Sequence, residues 1–249
     1  GMPKVVKKNQ SPLLYDLRKS FASENRGKRF VSSKSLNVWV DTSLTTTKVG
    51  GLAVSYTNSP STSTTTEHEF NYNFVELNGS SQFIEVADSD KLSFVDSSGD
   101  LPFTISLWAQ IDAVTSADYF FTKGTSSGTR EYFASITNSS KKIALQLYDE
   151  STDDRVLIGS NATNIVGTGK WHHIVFTYNG APHETGVLNG KIYVDGKDVT
   201  LENVKDPDYV AMENLGGPLR IGAAISGGAM DGKIAEVHSL ASVCPQRRF

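Results

Sequence analysis

Residues 170–180 read KWHHIVFTYNG, and this stretch decides the fold. Side chains alternate between the two faces of a β-strand, which places Trp171, His173, Val175 and Thr177 on one face and the residues between them on the other. Both faces are largely apolar or aromatic, as in a strand that is covered on both sides. The stretch therefore predicts a central strand of a β-sandwich.

A tight hairpin is predicted shortly after this strand. Residues 191–194 read KIYV, a second strand, and Asp195-Gly196 follows. An Asp-Gly pair supplies the two positive φ values that a type I′ turn requires. We therefore expect Lys197 to Thr200 to fold back on residues 191–194.

Short alternating segments separated by turn residues fill much of the remaining chain. Phe103 to Ile111 alternates most regularly. Many short strands with little helix are typical of an antiparallel double sheet or barrel. The other predicted strands are Tyr119 to Lys123, Glu131 to Ile136, Lys142 to Tyr148 and Arg155 to Ile158.

Four segments resemble the laminin-G-like, concanavalin A-like jelly-roll family, over roughly Glu69 to Leu240. They are GKWHHIVFTYNG followed by GKIYVDGKDV, the stretch Phe74 to Val86, Leu219 to Gly222, and Met230 to Val237. The resemblance implies an all-β, antiparallel jelly-roll β-sandwich. It restricts function much less, because the family includes lectins, adhesion modules, pentraxin-like proteins and enzymes.

The N-terminal part is predicted to be an extension of residues 1–66, followed by the jelly-roll domain at 67–249. Ser11 and Pro12 precede a short amphipathic helix, and Leu36 to Asp41 and Leu52 to Tyr56 are strand candidates. The polar run Asn58 to Thr66 predicts a linker or long loop. A second long loop is expected over Leu201 to Pro218.

Composition excludes several classes of protein. A net charge of −3 gives no sign of a nucleic-acid surface, and the single cysteine, Cys244, cannot form an intrachain disulfide. No apolar run approaches the length of a membrane span. If Met2 is the natural start, no signal-peptide-like run follows it, and we expect no export by the usual route.

Catalytic patterns are weak. Glucan-hydrolysing relatives carry Glu-x-Asp-x-x-Glu in one strand, and no stretch here has that spacing. Glu150, Asp153 and Asp154 form the nearest acidic cluster, in a predicted turn. His172 and His173 should point to opposite faces, so they cannot jointly hold one metal ion.

A sugar-binding group is predicted at one strand end. Aromatic rings stack on sugar rings, while nearby polar side chains bind the hydroxyls. The alternative is that these residues are ordinary strand aromatics with charged neighbours, since strands are enriched in them. The candidate ligand-binding residues are Tyr119, Arg130, Tyr132, Tyr148 and Asp149.

Calcium is the cofactor that the family resemblance implies. Calcium prefers several carboxylate and carbonyl oxygens. The matching positions are Asp88, Asp90, Asp231 and Glu236. Ala235 stands where the family usually has an aspartate, so one ligand of the implied site is missing.

The leading functional hypothesis is a non-catalytic binding module for a carbohydrate or glycosylated surface. A second hypothesis is a phage structural or virion appendage protein that assembles through residues 1–66, because such proteins reach the outside without an export signal. The third is a glycosidase, disfavoured by the absent carboxylate motif.

Overall fold

The structure is a computed structural model that describes residues 36–40, 51–67, 70–115, 117–125, 127–138, 140–160, 166–181, 189–224 and 228–241. The predicted helix that begins near Ser11 and the cysteine Cys244 lie outside these residues. No helix within these ranges is long and apolar enough to cross a membrane.

The described chain is built almost entirely of β-strands, as predicted, with one 3-10 turn at Asp90–Leu92. The strands are β1 (Leu36–Val40), β2 (Val54–Thr57), β3 (Ser61–Glu67), β4 (Phe70–Asn78), β5 (Phe83–Val86), β6 (Val95–Asp96), β7 (Gly99–Asp100), β8 (Phe103–Ala113), β9 (Asp118–Lys123), β10 (Tyr132–Ile136), β11 (Ile143–Asp149), β12 (Asp154–Ser160), β13 (Trp171–Tyr178), β14 (Gly190–Val194), β15 (Lys197–Asp198), β16 (Thr200–Lys205), β17 (Leu219–Ile221) and β18 (Asp231–Leu240).

Two antiparallel sheets of eight strands form the sandwich. The first has the order β15-β14-β13-β8-β18-β4-β3, with β1 also paired to β18. The second has the order β16-β12-β11-β10-β9-β17-β5-β2. Strand β13, the segment that opened the sequence analysis, lies inside the first sheet between β14 and β8, as predicted.

The core lies between the two sheets. Ile174 and Phe176 of β13 pair with Leu107 and Ile105 of β8, and all four side chains are buried. Buried residues of β9, β10 and β11 close the core from the second sheet. Each fully buried side chain of this size contributes roughly 1.5–3 kcal/mol to folding, and no disulfide is needed to explain the fold.

The predicted hairpin after β14 is confirmed. Val194 pairs with Lys197, which leaves a two-residue loop. Asp195 and Gly196 have φ values of 51° and 82°, as a type I′ turn requires. The turn also positions the Asp195 carboxylate beside the histidines of β13.

Strands from the predicted N-terminal extension belong to the sandwich. Strand β1 pairs with β18, and β2 pairs with β5. The expectation of a linker at Asn58 to Thr66 differs from the structure, because Ser61–Glu67 pairs with β4 along its whole length. Threonine suits a strand, and the backbone pairing of an edge strand does not depend on an apolar side-chain pattern.

The loop expected from Leu201 is also shorter than predicted. Thr200–Lys205 forms β16, the edge strand of the second sheet, with Leu201 and Val204 exposed. The remaining loop, residues 206–218, is fixed by the carboxylates of the buried Asp149 and the partly buried Asp100. Asp149 accepts a hydrogen bond from the backbone N of Val210 at 2.9 Å, and Asp100 accepts one from the backbone N of Met212 at 2.7 Å.

Candidate functional site

Three aromatic side chains form a row across the outer face of the second sheet. Phe133 of β10 lies between Tyr119 of β9 and Tyr148 of β11, with ring centroids 5.4 Å and 5.6 Å apart. The Phe133 and Tyr148 rings are stacked at an interplanar angle of 29°. We call these three residues the aromatic row.

The rings of the aromatic row differ in accessibility. Phe133 and Tyr148 are each only 9% exposed, whereas Tyr119 is half-buried. Phe133 therefore supports the other two rings, and Tyr119 is the ring that a ligand can reach most directly.

Arg130 covers one end of the aromatic row. Its guanidinium carbon lies 4.2 Å from the centre of the Tyr148 ring, a cation–π contact. Its Nε donates to Glu150 Oε2 at 2.6 Å, and its Nη2 also donates to Asp153 Oδ1. Hydrogen bonding to Glu150 raises the pKa of Arg130 above its usual value.

The hydroxyls of Tyr119 and Tyr148 have no hydrogen bond to any residue that the structure describes. Burial raises the pKa of Tyr119, and the nearby Tyr148 raises it further. The aromatic row thus combines an apolar ring surface with the phenol groups of Tyr119 and Tyr148.

Gly228 holds the chain against one end of the aromatic row. Its φ is +64°, and a Cβ atom there would lie 2.8 Å from the Ala117 carbonyl oxygen and 3.1 Å from Tyr119 Cε2. Only glycine fits this close approach without displacing its neighbours. Residues 225–227 of the same segment lie outside the described ranges.

Polar pairs flank the aromatic row on the same outer face. Arg155 Nη1 donates to Gln146 Oε1 at 2.8 Å, and its Nε lies 3.8 Å from Asp206. On the other side, Arg220 Nε donates to Glu85 Oε2 at 3.0 Å. The surface is therefore polar around an aromatic centre.

The structure brings three of the five predicted ligand-binding residues together: Tyr119, Arg130 and Tyr148. Tyr132 lies on the opposite face of β10, fully buried, and its hydroxyl donates to the Leu92 carbonyl at 2.8 Å. Sequence reasoning missed Phe133, the outward neighbour of Tyr132. The alternation of β10 is the signal that could have found it.

Asp149 also lies away from the aromatic row. Its carboxylate accepts hydrogen bonds from the backbone N of Val210 and from Ser151 Oγ, both at 2.9 Å. Burial alone would raise the pKa of Asp149, but these hydrogen bonds outweigh it and lower the pKa. Asp149 therefore fixes the loop of residues 206–218 rather than facing the outer surface.

The four predicted calcium positions are not brought to one place. Asp88 lies 2.7 Å from the Lys123 ammonium nitrogen, and Asp90 accepts from Asn214 Nδ2 at 2.9 Å. Glu236 is buried in β18, with Oε2 3.7 Å from His238 Nε2. Among the described residues, no group of three His, Cys, Asp or Glu side chains could hold a metal ion.

Asp231, the fourth position, has a carboxylate neighbour that sequence reasoning missed. Asp118, only 2% exposed, accepts a hydrogen bond from the Asp231 backbone N–H. Burial raises the pKa of Asp118 to about 6, and the Asp231 charge adds to this rise. Their hydrogen bond connects the start of β9 in the second sheet to the start of β18 in the first sheet.

The paired histidines point to opposite faces, as predicted. His172 Nδ1 lies 2.8 Å from Asp195 Oδ2, and His172 Nε2 accepts from the Gly167 backbone N at 3.1 Å. His173 Nε2 lies 2.9 Å from Ser106 Oγ on the other face. Each histidine therefore contributes to its own local network.

Solved structures resemble this chain in fold. Domain 4 of AbnA, a GH43 extracellular arabinanase from Geobacillus stearothermophilus solved with arabinotriose, matches with a TM-score of 0.56 and 14% identity over 84% of this chain and 93% of that one. The receptor binding domain of botulinum neurotoxin C/D mosaic serotype matches with a TM-score of 0.58 and 14% identity over 85% of this chain and 49% of that one.

A further match is the botulinum neurotoxin serotype D ligand binding domain in complex with N-acetylneuraminic acid. The TM-score is 0.58 and the identity 15%, over 85% of this chain and 48% of that one. This chain thus spans about half the length of the toxin fragments. At such identities the likeness shows the shared fold alone.

Sequence comparison gives the family. No curated protein matches the sequence. The Laminin_G_3 family model, described as concanavalin A-like lectin/glucanases superfamily, matches residues 78–243. Since this match covers more than half of the chain, and the two antiparallel sheets agree with it, the chain belongs to the concanavalin A-like lectin/glucanases superfamily.

Proposed function

We propose that this protein is a non-catalytic carbohydrate-binding module and that its ligand contacts the aromatic row. The observation that carries the proposal is the arrangement of Tyr119, Phe133 and Tyr148. A reachable ring lies beside two hydroxyls that no described residue engages.

The chemistry of sugars fits this arrangement. One face of a sugar ring carries mainly C–H groups and packs on an aromatic ring, while its hydroxyls need directional polar partners. Tyr119 supplies the ring. The Tyr119 and Tyr148 hydroxyls and the flanking Arg130–Glu150 pair supply donors and acceptors.

The solved relatives support a sugar ligand. The arabinanase domain was solved with arabinotriose, and one toxin domain with N-acetylneuraminic acid. Another toxin study concerns interaction with two ganglioside molecules. Carbohydrates are thus ligands of these solved proteins that share the fold, which supports a sugar ligand here.

The hydrogen bonds of the carboxylates beside the aromatic row favour sugar binding over sugar hydrolysis. A glycosidase needs one carboxyl group that can give up a proton and another that acts as nucleophile or base. Glu150 and Asp153 both accept hydrogen bonds from the Arg130 guanidinium. Both carboxylates are thus engaged by the guanidinium, and neither faces a ligand as a free carboxyl group.

A glycan array of the full-length protein tests the proposal. We expect wild type to bind at least one glycan and Tyr119→Ala to lose that binding, because the reachable ring is gone. Tyr132→Phe is the matched control, since it alters a tyrosine on the core face and should bind like wild type. Melting curves check that all three proteins fold. Binding that persists in folded Tyr119→Ala would overturn the proposed site.

A further inference from the structure

We infer that the aromatic row selects neutral glycans over acidic ones, such as sialylated or uronic-acid-containing chains. This inference rests on the proposed function and specifies its ligand class. It follows from the charges around the row, where each flanking arginine already has a carboxylate partner.

Arg130 lies directly against the Tyr148 ring of the row, and two carboxylates engage it. Glu150 lies 2.6 Å from its Nε, and Asp153 accepts from its Nη2. Glu150 also accepts a hydrogen bond from the Gly128 backbone N, which fixes the carboxylate in place. An acidic sugar that approached Arg130 would meet two negative charges beside one positive charge.

The other two arginines of this face are paired as well. Arg155 lies near Asp206, with N and O 3.8 Å apart, and donates to Gln146. Arg220 lies 3.0 Å from Glu85, and its guanidinium carbon is 4.8 Å from the centre of the Phe83 ring. No arginine that flanks the row is therefore unpaired in the described part of this face.

These pairs give selectivity by penalising the wrong ligand. A glycan carboxylate would have to displace a protein carboxylate or remain near it without a counter-ion, and like charges placed side by side oppose binding. A neutral hydroxyl can donate to Glu150 or accept from Arg130 without breaking their ion pair. Neutral glycans thus avoid a cost that acidic glycans incur.

Matched glycans with and without their acidic sugar test this inference. An example is one sialylated oligosaccharide before and after neuraminidase treatment, titrated by calorimetry at low salt. We expect wild type to bind the neutral form about tenfold more tightly or better, a difference of about 1.4 kcal/mol. The double variant Glu150→Gln/Asp153→Asn should reduce this preference, because it frees the Arg130 charge.

The outcomes separate this inference from the proposed function. Equal or tighter binding of the acidic form, lost in Tyr119→Ala, would overturn the selectivity and retain the site. Absence of binding to every glycan would remove both proposals. An unchanged preference in a folded double variant would contradict the charge mechanism.

Discussion

The ammonium nitrogen of Lys123 lies 2.8 Å from the carboxylate of Glu131, and both side chains are shielded from solvent. The same nitrogen lies 2.7 Å from Asp88 and donates to the Gly217 carbonyl. Glu131 also accepts from the backbone N of Leu215 at 3.2 Å. One buried ion pair therefore fixes the end of β9, the start of β10 and the long loop together.

Breaking this pair from one side should destabilise the fold. Lys123→Met leaves the Glu131 carboxylate buried without a cation, and such changes cost about 3–5 kcal/mol. The double variant Lys123→Met/Glu131→Leu should recover much of that loss, because the buried charge of Glu131 is removed and only the partly exposed Asp88 carboxylate loses its cation. Urea unfolding of both proteins measures the difference. A double variant no more stable than Lys123→Met would contradict this explanation.

The Asp118 carboxyl should make stability depend on pH. Its pKa is about 6 in the folded protein but about 3.9 in an unfolded chain. The folded state therefore binds the proton more tightly, so stability is highest below the unfolded pKa and falls as pH rises through about 6. The decrease should be on the order of 2 kcal/mol.

Asp118→Asn should remove this decrease and raise stability at pH 7 relative to wild type. Asp208→Asn, at an exposed aspartate, is the control. Denaturant unfolding between pH 4 and pH 8 provides the comparison. If wild type and Asp118→Asn change in parallel across this range, Asp118 is not the group responsible.

Asp100 should determine the rigidity of the loop at residues 206–218. Its carboxylate accepts hydrogen bonds from the hydroxyls of Tyr178 and Tyr209 at 3.0 Å and 2.7 Å, as well as from the backbone N of Met212. Burial raises the pKa of Asp100, which these donors partly offset. Asp100→Asn replaces one of the two accepting oxygens with an NH₂ group, so this set of hydrogen bonds is weakened and the Met212 amide should exchange hydrogen faster.

Hydrogen-exchange mass spectrometry checks this prediction. Peptides from the loop should exchange faster in Asp100→Asn, while peptides from β13 should change little. Uniform acceleration across the whole protein would indicate general destabilisation instead of a local loop anchor.

The predicted calcium site can be tested at Asp231, whose neighbourhood holds the second carboxylate of Asp118. If calcium binds there, millimolar calcium should raise the melting temperature of wild type, because a ligand of the native state stabilises it. Asp231→Asn should abolish the rise and Asp208→Asn should retain it. No calcium-dependent rise in wild type, or an equal rise in Asp231→Asn, would remove Asp231 as a ligand.

Local patterns predicted much of the fold. Alternation in residues 170–180 placed β13 in the middle of a sheet, and Asp195-Gly196 predicted its turn, because both signals depend on neighbouring residues alone. The pairing of Ser61–Glu67 with β4 was not predictable in this way. Backbone pairing with a distant strand depends on the rest of the sheet and leaves no apolar pattern in a threonine-rich edge strand.

The candidate site was predicted only in part, again because local sequence does not show how distant strands pair. Tyr119, Arg130 and Tyr148 were identified by residue type, and the structure brings them together around Phe133. Tyr132 and Asp149 have suitable chemistry but occupy the core-facing positions of β10 and β11. The assignment of faces depends on how the strands pair, which the residue types do not reveal. Virion assembly through residues 1–66 stays a prediction.

The most direct test of the central claim is an NMR titration of the ¹⁵N-labelled full-length protein with the tightest-binding glycan from the array. The account predicts that the largest shift changes fall on the backbone amides of Tyr119, Arg130, Phe133 and Tyr148. Changes centred instead on the first sheet, or on the loop of residues 206–218, would show that the glycan binds elsewhere and would contradict the account.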